Sequence, residues 1–221
     1  MNICIVAGHT TTGKGTGAVG YINESTENRI LAKKVTEYIK KAGHNCDYYA
    51  VNKSDTYLKE QTNFANKKAY DVVVQIHFNA NKTTSSPIGT ETLYKSSKGK
   101  VIAERVTKKL GELYKQRGVK LRNDLHWLNA TKSPAILIET CFVDSKADTD
   151  KYINNKDATA KLIAEGIIGK DIIETYVTTN SKNDVILWAV CVGAYKDKNK
   201  SDSIVEELKK KGYTSTYLIP R

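Results

Sequence analysis

The stretch from Asp71 to Phe78, DVVVQIHF, largely decides the expected fold. A short apolar run rich in β-branched residues is typical of a strand that is buried on both faces. Similar runs predict strands at Ile3–Ala7 and Ala135–Glu139, and a weaker run predicts a strand at Thr90–Tyr94. Strands buried on both faces indicate a sheet that is covered by helices.

Helices are predicted between these strands, because apolar residues recur there at helical spacing. Alternating strands and helices predict an α/β fold over residues 1–175, with a mainly parallel twisted sheet flanked by helices. The three predicted helices run from Asn23 or Ser25 to Gly43, from 97 to 117 with closure at Gly118, and from 157 to 174.

A second, smaller module is predicted after a polar linker at residues 176–184. Val185–Val192 and Tyr213–Ile219 have the composition of strands, and Lys200–Lys211 that of a helix. The resulting βαβ module, residues 185–221, is too small to bury much core on its own. We expect it to pack on the first domain, to pair with a second copy, or to be only marginally stable.

Composition and charge bound the class of protein. The chain has 221 residues, of which 40% are hydrophobic and 27% charged, and this excludes disordered and collagen-like proteins. No apolar run approaches the roughly 18–20 residues of a membrane helix, so membrane insertion is not expected. The net charge of +11 is spread along the chain and suits a polyanionic surface. Zinc-finger and RNP signatures are absent, and no nucleic-acid partner is expected.

The first residues, MNICIVAGHTTTGKG, lack the basic segment and the apolar stretch of a secretory signal. We therefore expect synthesis in the cytoplasm, with action elsewhere only after release by another route. The four cysteines, Cys4, Cys46, Cys141 and Cys191, are far apart in sequence and have no CxxC spacing. They are expected to be reduced, mostly buried thiols rather than a disulfide framework.

Polar side chains collect at one edge of the predicted sheet, where open α/β sheets bind their ligands. His9 follows the first strand, His77 lies at the end of the second, and Glu139 ends the last. Glu24 starts the first helix, next to the same edge. Two imidazoles and a carboxylate can bind a catalytic zinc ion with one position open for water, while a second carboxylate moves protons.

Each of these residues also has a simpler interpretation. A histidine at a strand end is often only hydrogen-bonded, and a carboxylate such as Glu24 is favoured at a helix start. Glu139 is harder to explain this way, because burying an unpaired acid at the end of an apolar run is costly. His126 is a further candidate for lining the site, and His44, beside a helix end, is expected at the surface.

Four motifs give this pattern a family resemblance. They are VAGHTTTG (6–13), INEST (22–26), QIHFNA (75–80) and PAILIETCFVD (134–144). In this order they resemble the motifs of zinc-dependent N-acetylmuramoyl-L-alanine amidases, the type found in phage endolysins and bacterial autolysins. The resemblance covers about residues 1–175. Asp-Pro often precedes the first Gly-His in that family and Gly follows it, whereas Val6-Ala7 and Thr10 stand there in this chain.

The resemblance implies a set of roles for these residues. His9, Glu24 and His77 would bind one zinc ion, and Glu139 would be catalytic. Asn79, which follows His77 at the family's spacing, is a substrate-binding candidate, as is His126. The implied reaction is hydrolysis of the amide bond between N-acetylmuramic acid and L-alanine of peptidoglycan by zinc-activated water, with Glu139 moving the proton.

Two biological settings fit that chemistry. A phage endolysin leaves the cytoplasm through a phage pore, and a sporulation autolysin lyses the mother cell from inside. The compact length and the spelling of the motifs favour an endolysin. A non-catalytic wall-binding protein of the same fold is the alternative from another class, but it would not need the Glu139 carboxylate.

The C-terminal segment resembles half of a sporulation-related repeat (SPOR) domain. Residues 186–219, ILWAVCVGAYKDKNKSDSIVEELKKKGYTSTYLI, carry the strand, the VGAY turn and the LKKKGY helix end of that family. SPOR domains bind peptidoglycan, which implies wall binding by residues 185–221. Only one βαβ half is present, so two copies are expected to pair as a homodimer. The alternative is an extension that only stabilises the fold.

Overall fold

A six-stranded sheet forms the centre of the structure, a computed structural model that describes residues 1–172, 175–178, 187–190 and 198–212. The chain divides into two compact units, Met1–Ile172 and Ile173–Arg221. The elements of the first unit are β1 (Asn2–Ala7), α1 (Glu24–Lys41), β2 (Asn45–Tyr49), α2 (Tyr57–Ala65), β3 (Val72–Asn79), β4 (Thr90–Tyr94), α3 (Ser97–Leu110), β5 (Gln116–Leu121), α4 (His126–Ala130), β6 (Ala135–Phe142), α5 (Lys146–Asn154) and α6 (Lys156–Ile168).

The strand order is β2-β1-β3-β6-β4-β5. The first four strands are parallel, whereas β4 pairs antiparallel with β6 and parallel with β5. The predicted α/β fold with a mainly parallel sheet is therefore confirmed. The reversal has a consequence for the site: the starts of β4 and β5 lie at the edge where the other four strands end.

Helices cover both faces of the sheet, which explains why its central strands are apolar throughout. One face packs against α1, α3 and α6, with Ile5, Val74 and Ile138 in its core. The other packs against the short helices α2 and α4, with Val73 and Leu137. Because successive strand residues point to opposite faces, His77 and Glu139 share the α2 and α4 face.

Helix α1 starts as the sequence predicts. The side chain of Asn23 accepts a hydrogen bond from the Thr26 N–H at 3.0 Å, which makes Asn23 the N-cap rather than Ser25. This cap fixes Glu24 as the first residue of the helix. The helix ends at Lys41, two residues before Gly43, which has a positive φ of 82°.

The predicted limits of the other two helices are wrong. Helix α3 stops at Leu110 instead of 117, and Gly118 lies in strand β5, at a shift in the register between β4 and β5. Helix α6 runs from Lys156 to Ile168 instead of the predicted 157–174, because Gly169 adopts a left-handed conformation that ends it. Strands β2 and β5 and helices α2, α4 and α5 are additions to the prediction, and all of them are short.

The second unit contains a pair of antiparallel strands, β7 (Thr175–Thr178) and β8 (Leu187–Val190), and a helix, α7 (Lys198–Lys210). Strand β8 and helix α7 lie where a strand and a helix are predicted. The predicted linker is wrong at 176–178, which belong to β7, a Thr-Tyr-Val-Thr sequence that favours strand structure. The rest of the linker and the predicted strand Tyr213–Ile219 lie outside the described residues.

Cys4, Cys46 and Cys141 are free and buried, as predicted, and Cys191 lies outside the described residues. Among the described helices, none has both the length and the apolar character needed to cross a membrane.

Candidate metal centre

Three of the predicted residues meet at the carboxyl edge of the sheet. His9 lies two residues after β1, His77 lies in β3, and Glu24 begins α1. One ligand atom from each lies within 4.8 Å of the others. Glu24 is at the centre, since its Oε1 is 2.9 Å from His77 Nδ1 and 3.3 Å from His9 Nε2.

The carboxylate of Glu24 is held by backbone groups as well as by the histidines. Its Oε2 accepts a hydrogen bond from the Ala18 N–H at 2.8 Å, and its Oε1 accepts one from the Phe78 N–H at 3.0 Å. Burial opposes ionisation, but the hydrogen bonds and charge interactions with His77 and His9 outweigh it and lower the pKa of Glu24. The residue is 3% exposed and is therefore a fixed, ionised ligand candidate.

The loop conformation aims the His9 ring at Glu24. His9 has a positive φ of 58°, which is uncommon for a residue other than glycine. Its carbonyl oxygen accepts a hydrogen bond from Arg29 Nη2 at 3.0 Å, which holds this conformation. Its Nδ1 lies 3.0 Å from the Gly15 carbonyl, which can only accept. In the neutral ring Nδ1 thus carries the proton, and Nε2 presents its lone pair towards Glu24.

Close packing fixes the His77 ring. The rings of His77 and His9 lie edge to face, with centroids 4.7 Å apart. A Cβ atom at Gly8 would lie 2.3 Å from the Cε1 and Nε2 atoms of His77, so only glycine fits there. Burial lowers the pKa of His77, and this favours the neutral imidazole that binds metals.

The arrangement fits a divalent metal ion. An imidazole lone pair that faces a carboxylate oxygen at 3.3 Å needs a cation or a proton between the two atoms. The His9 ring is also oriented by a hydrogen bond from its other nitrogen to a carbonyl, which is typical of metal-binding histidines. Two imidazoles and one carboxylate form the donor set of a catalytic zinc site.

Glu139 lies beside this cluster, on the next strand. It is the direct neighbour of His77 in the pairing of β3 with β6. Burial, and then the charges of Glu24 and Glu91, raise the pKa of Glu139 to about 8, and Arg122 lowers it. Its buried Oε2 has no hydrogen-bond partner among the described residues. This carboxyl group can exchange a proton near neutral pH, which Glu24 cannot.

Glu91 also belongs to this edge, although no sequence motif predicts it there. Glu91 is 7% exposed and lies directly opposite Glu139 in the pairing of β4 with β6. Its Oε2 accepts a hydrogen bond from Arg117 Nε at 2.9 Å and lies 3.5 Å from Lys120 Nζ. The sequence does contain one indication of Glu91, since it is an acid within a strand of otherwise apolar and β-branched residues. However, only the reversed direction of β4 places Glu91 beside Glu139.

The two substrate-binding candidates lie outside the metal cluster. Asn79 ends β3, and its amide donates a hydrogen bond to Glu91 Oε1 at 3.2 Å. His126 is exposed at the start of α4, and its Nε2 lies 3.2 Å from Thr62 Oγ1 of α2. No hydrogen bond among the described residues joins either side chain to His9, Glu24 or His77.

Residues 3–169 match a protein family, Amidase_3, described as N-acetylmuramoyl-L-alanine amidase. An uncharacterized protein of Clostridium perfringens is 36% identical over 188 residues, which are 79% of this chain and 53% of that protein. The N-acetylmuramoyl-L-alanine amidase LytC of Bacillus subtilis is 30% identical over 161 residues, 69% of this chain and 32% of LytC.

Among solved structures, the catalytic domain of the CD27L endolysin targeting Clostridium difficile is similar, with a TM-score of 0.72 and 36% identity. The match covers 78% of this chain and 99% of that domain. The chain spans about half the length of the curated relatives that it matches, 53%, 58% and 42% for three of them. Since the family covers most of the chain, the candidate metal centre included, this protein belongs to the N-acetylmuramoyl-L-alanine amidase family Amidase_3.

Proposed function

We propose that this chain is a peptidoglycan hydrolase that cleaves the amide bond between N-acetylmuramic acid and L-alanine, with one zinc ion as cofactor. The observation that carries the proposal is the convergence of His9, Glu24 and His77 beside Glu139, in a chain that belongs to the amidase family. A non-catalytic wall-binding protein would not need a fixed ligand set next to a carboxyl group of raised pKa.

His9, Glu24 and His77 would hold the zinc ion. Zinc bound there supplies a Lewis acid, which polarises a carbonyl oxygen and lowers the pKa of water. The chain prepares for this by orienting each ligand: a carbonyl orients His9, packing against Gly8 orients His77, and two backbone N–H groups orient Glu24.

Glu139 would transfer the proton. As a carboxylate it takes a proton from the attacking water, and as an acid it returns that proton to the departing amine of L-alanine. Its position opposite His77, with an unpartnered Oε2, supports this role. The neighbouring carboxylates and burial keep the protonated form accessible near neutral pH, while a nearby cation favours the ionised form.

The two remaining candidates, His126 and Asn79, are proposed to have different roles. His126 is exposed at the start of α4, on the sheet face that carries Glu139, and would contact the substrate there. Asn79 donates its amide to Glu91, so we propose that it positions Glu91 rather than contacting the substrate directly.

For the biological setting we propose a phage endolysin, supported by the 36% identity to an endolysin catalytic domain. A sporulation autolysin would use the same chemistry. Wall binding by residues 185–221, homodimerisation through them, and synthesis in the cytoplasm followed by release to the wall stay predictions.

The test is a digestion of purified peptidoglycan, with and without a chelator, followed by mass spectrometry of the released fragments. We expect cleavage between muramic acid and L-alanine, loss of cleavage on chelation, and its recovery on adding zinc. Intact peptidoglycan in the presence of zinc would contradict the proposal and favour a wall-binding protein. Cleavage that survives complete removal of metal would contradict the role of zinc.

A further inference from the structure

Two cationic side chains lie on the side of Glu139 away from the metal cluster. They are Arg117 and Lys120 of β5, both in contact with Glu91. We propose that Arg117 and Lys120 form a subsite for a carboxylate on the peptide part of the substrate, with Glu91 as the residue that positions them. This proposal rests on the proposed function, because it assumes that a muramoyl peptide binds across this edge.

A row of side chains across three strands connects this subsite to the metal cluster. His77 of β3 pairs with Glu139 of β6, and Glu139 pairs with Glu91 of β4. Residues that are direct neighbours in a sheet point to the same face. With strands about 4.8 Å apart, the row from His77 to Glu91 is roughly 10 Å long, and the cations lie at its end.

The charges at the end of the row do not balance. Glu91 contributes one negative charge, and Arg117 and Lys120 contribute two positive ones, which leaves an excess of one positive charge. The Glu91 side chain is 9% exposed, whereas those of Arg117 and Lys120 are 35% and 45% exposed. The anion is therefore inside, and the excess cationic charge faces outwards, where a second carboxylate can reach it.

The guanidinium of Arg117 is already fixed in place. Its Nε donates to Glu91, and its central carbon lies over the Phe142 ring, 5.0 Å from the ring centroid. Its two Nη groups donate no hydrogen bond to any described residue. A held guanidinium with free Nη groups suits a carboxylate, which it can bind through two parallel hydrogen bonds.

Asn79 also holds the Glu91 carboxylate in place. Its amide donates to the other oxygen of Glu91, at 3.2 Å. Both oxygens of the buried carboxylate are therefore hydrogen-bonded by the protein. A buried carboxylate whose partners are exposed cations and an amide has the expected features of a positioning residue.

The length of the row matches a short piece of peptide. An extended chain spans at most about 3.6 Å per residue, so one or two residues beyond the scissile bond cover most of the row. The long side chains of Arg117 and Lys120 extend over the remaining distance. A carboxylate on the residues that follow L-alanine would therefore reach the subsite, and a neutral carboxamide there would lose the charge interaction.

The test compares two forms of one peptidoglycan preparation: untreated, and with its peptide carboxyl groups converted to carboxamides by coupling with ammonia. Initial rates of release of peptides with a free L-alanine amine are measured for each. We expect the zinc-loaded protein to prefer the untreated form by about 5-fold, the range of a partly exposed charged hydrogen bond. This preference should shrink as the salt concentration rises.

Variants assign the preference to the two cations. Arg117→Gln and Lys120→Gln should each lower the rate on the untreated form more than on the amidated form, which reduces the preference towards 1. Arg117→Lys keeps the positive charge and should therefore keep most of the preference for the untreated form. Lys100→Gln is the matched control, because Lys100 is a half-exposed lysine on α3 that pairs with Glu104. It should leave both rates unchanged.

The possible failures are distinguishable. If both forms are cleaved at equal rates by the wild type, or if the preference survives in Arg117→Gln and in Lys120→Gln, the subsite is wrong and the amidase function stands. If neither form is cleaved with zinc present, the proposed function itself fails. Should Arg117→Gln unfold in a thermal denaturation control, Lys120→Gln, at a more exposed position, decides the question.

Discussion

The two sides of the sheet edge treat their carboxylates differently. On the side of β1, α1 and β3, Glu24 is bound by two backbone N–H groups and contacts two imidazoles. On the side of β6 and β4, Glu139 has a buried oxygen without a partner among the described residues, and the charges of Glu24 and Glu91 act against its ionisation. Hydrogen bonds lower the pKa of the first group, and burial raises that of the second.

This difference shows how one edge can support two kinds of chemistry. A ligand must be ionised and immobile, and Glu24 meets both conditions. A proton-transfer group must exist in both protonation states near the working pH, which requires fewer stabilising contacts to its charged form. The two roles can be tested separately, by replacing either a metal-ligand candidate or the proton-transfer group.

Removing a ligand should have the largest effect. We expect His77→Ala to lose bound zinc and at least about 10³-fold in peptidoglycan cleavage, because metal catalysis contributes several kcal/mol. Metal analysis after dialysis and a cleavage assay measure both. His44→Ala is the matched control, since His44 does not belong to the cluster. Full zinc occupancy in His77→Ala would refute its assignment as a ligand.

Removing the proton-transfer group should leave the metal in place. We expect Glu139→Gln to bind zinc normally but to lose about 10²- to 10⁴-fold in turnover, the usual range for a general base. Metal content and turnover are measured on the same sample. Glu104→Gln, at an exposed glutamate of α3, is the control. Near-normal turnover of a zinc-loaded Glu139→Gln protein would show that another group transfers the proton.

The packing that fixes the ligand side can be disturbed without changing a ligand. In Gly8→Ala the new Cβ would lie 2.3 Å from the His77 ring, so we expect a loss of about 1–3 kcal/mol in stability and weaker zinc binding. Gly43→Ala, by contrast, places alanine at a positive φ, where the new Cβ meets nothing within 4 Å. Denaturant unfolding measures the loss of stability in both variants, and zinc titration measures the loss of zinc affinity separately. Equal zinc affinities would show that the His77 ring tolerates displacement.

The smallest expected effect concerns stability without metal. The pKa of Glu139 is raised from 4.5 to about 8, so the folded state keeps a proton that the unfolded chain releases. This contribution to stability is present in full below pH 4.5 and decreases as the pH rises to about 8. In chelator-treated protein, the melting temperature of Glu139→Gln relative to wild type should therefore rise by several degrees between pH 5 and pH 9. A difference that does not change with pH would contradict the raised pKa.

Much of the ligand side could be predicted from the sequence. Strands β1, β3 and β6 are apolar because helices cover both faces, so their ends could be located and the polar residues at those ends recognised. Asn23 marked the helix that carries Glu24. The hydrogen bonds that fix these residues, such as that of Arg29 to His9, depend on the folded loop and leave no local pattern.

The side of the sheet edge formed by β6, β4 and β5 was predicted less completely. Strand β5 is largely exposed and polar, so its sequence lacks the apolar signal, and its first two residues fall within the predicted helix 97–117. Without β5, and without the antiparallel direction of β4, the position of Glu91 beside Glu139 could not be inferred. Pairing partners distant in the chain determine both features, and periodicity does not report on them.

The reversal of β4 also affects how such a protein can diverge. One continuous segment, residues 90–121, supplies β4, α3 and β5, while the metal ligands and Glu139 come from outside it. Strand β5 is the outermost strand on its side of the sheet, so replacing or lengthening it disturbs few neighbours. Exchanging this segment would therefore alter the proposed carboxylate subsite while the metal-ligand candidates and Glu139 stay in place.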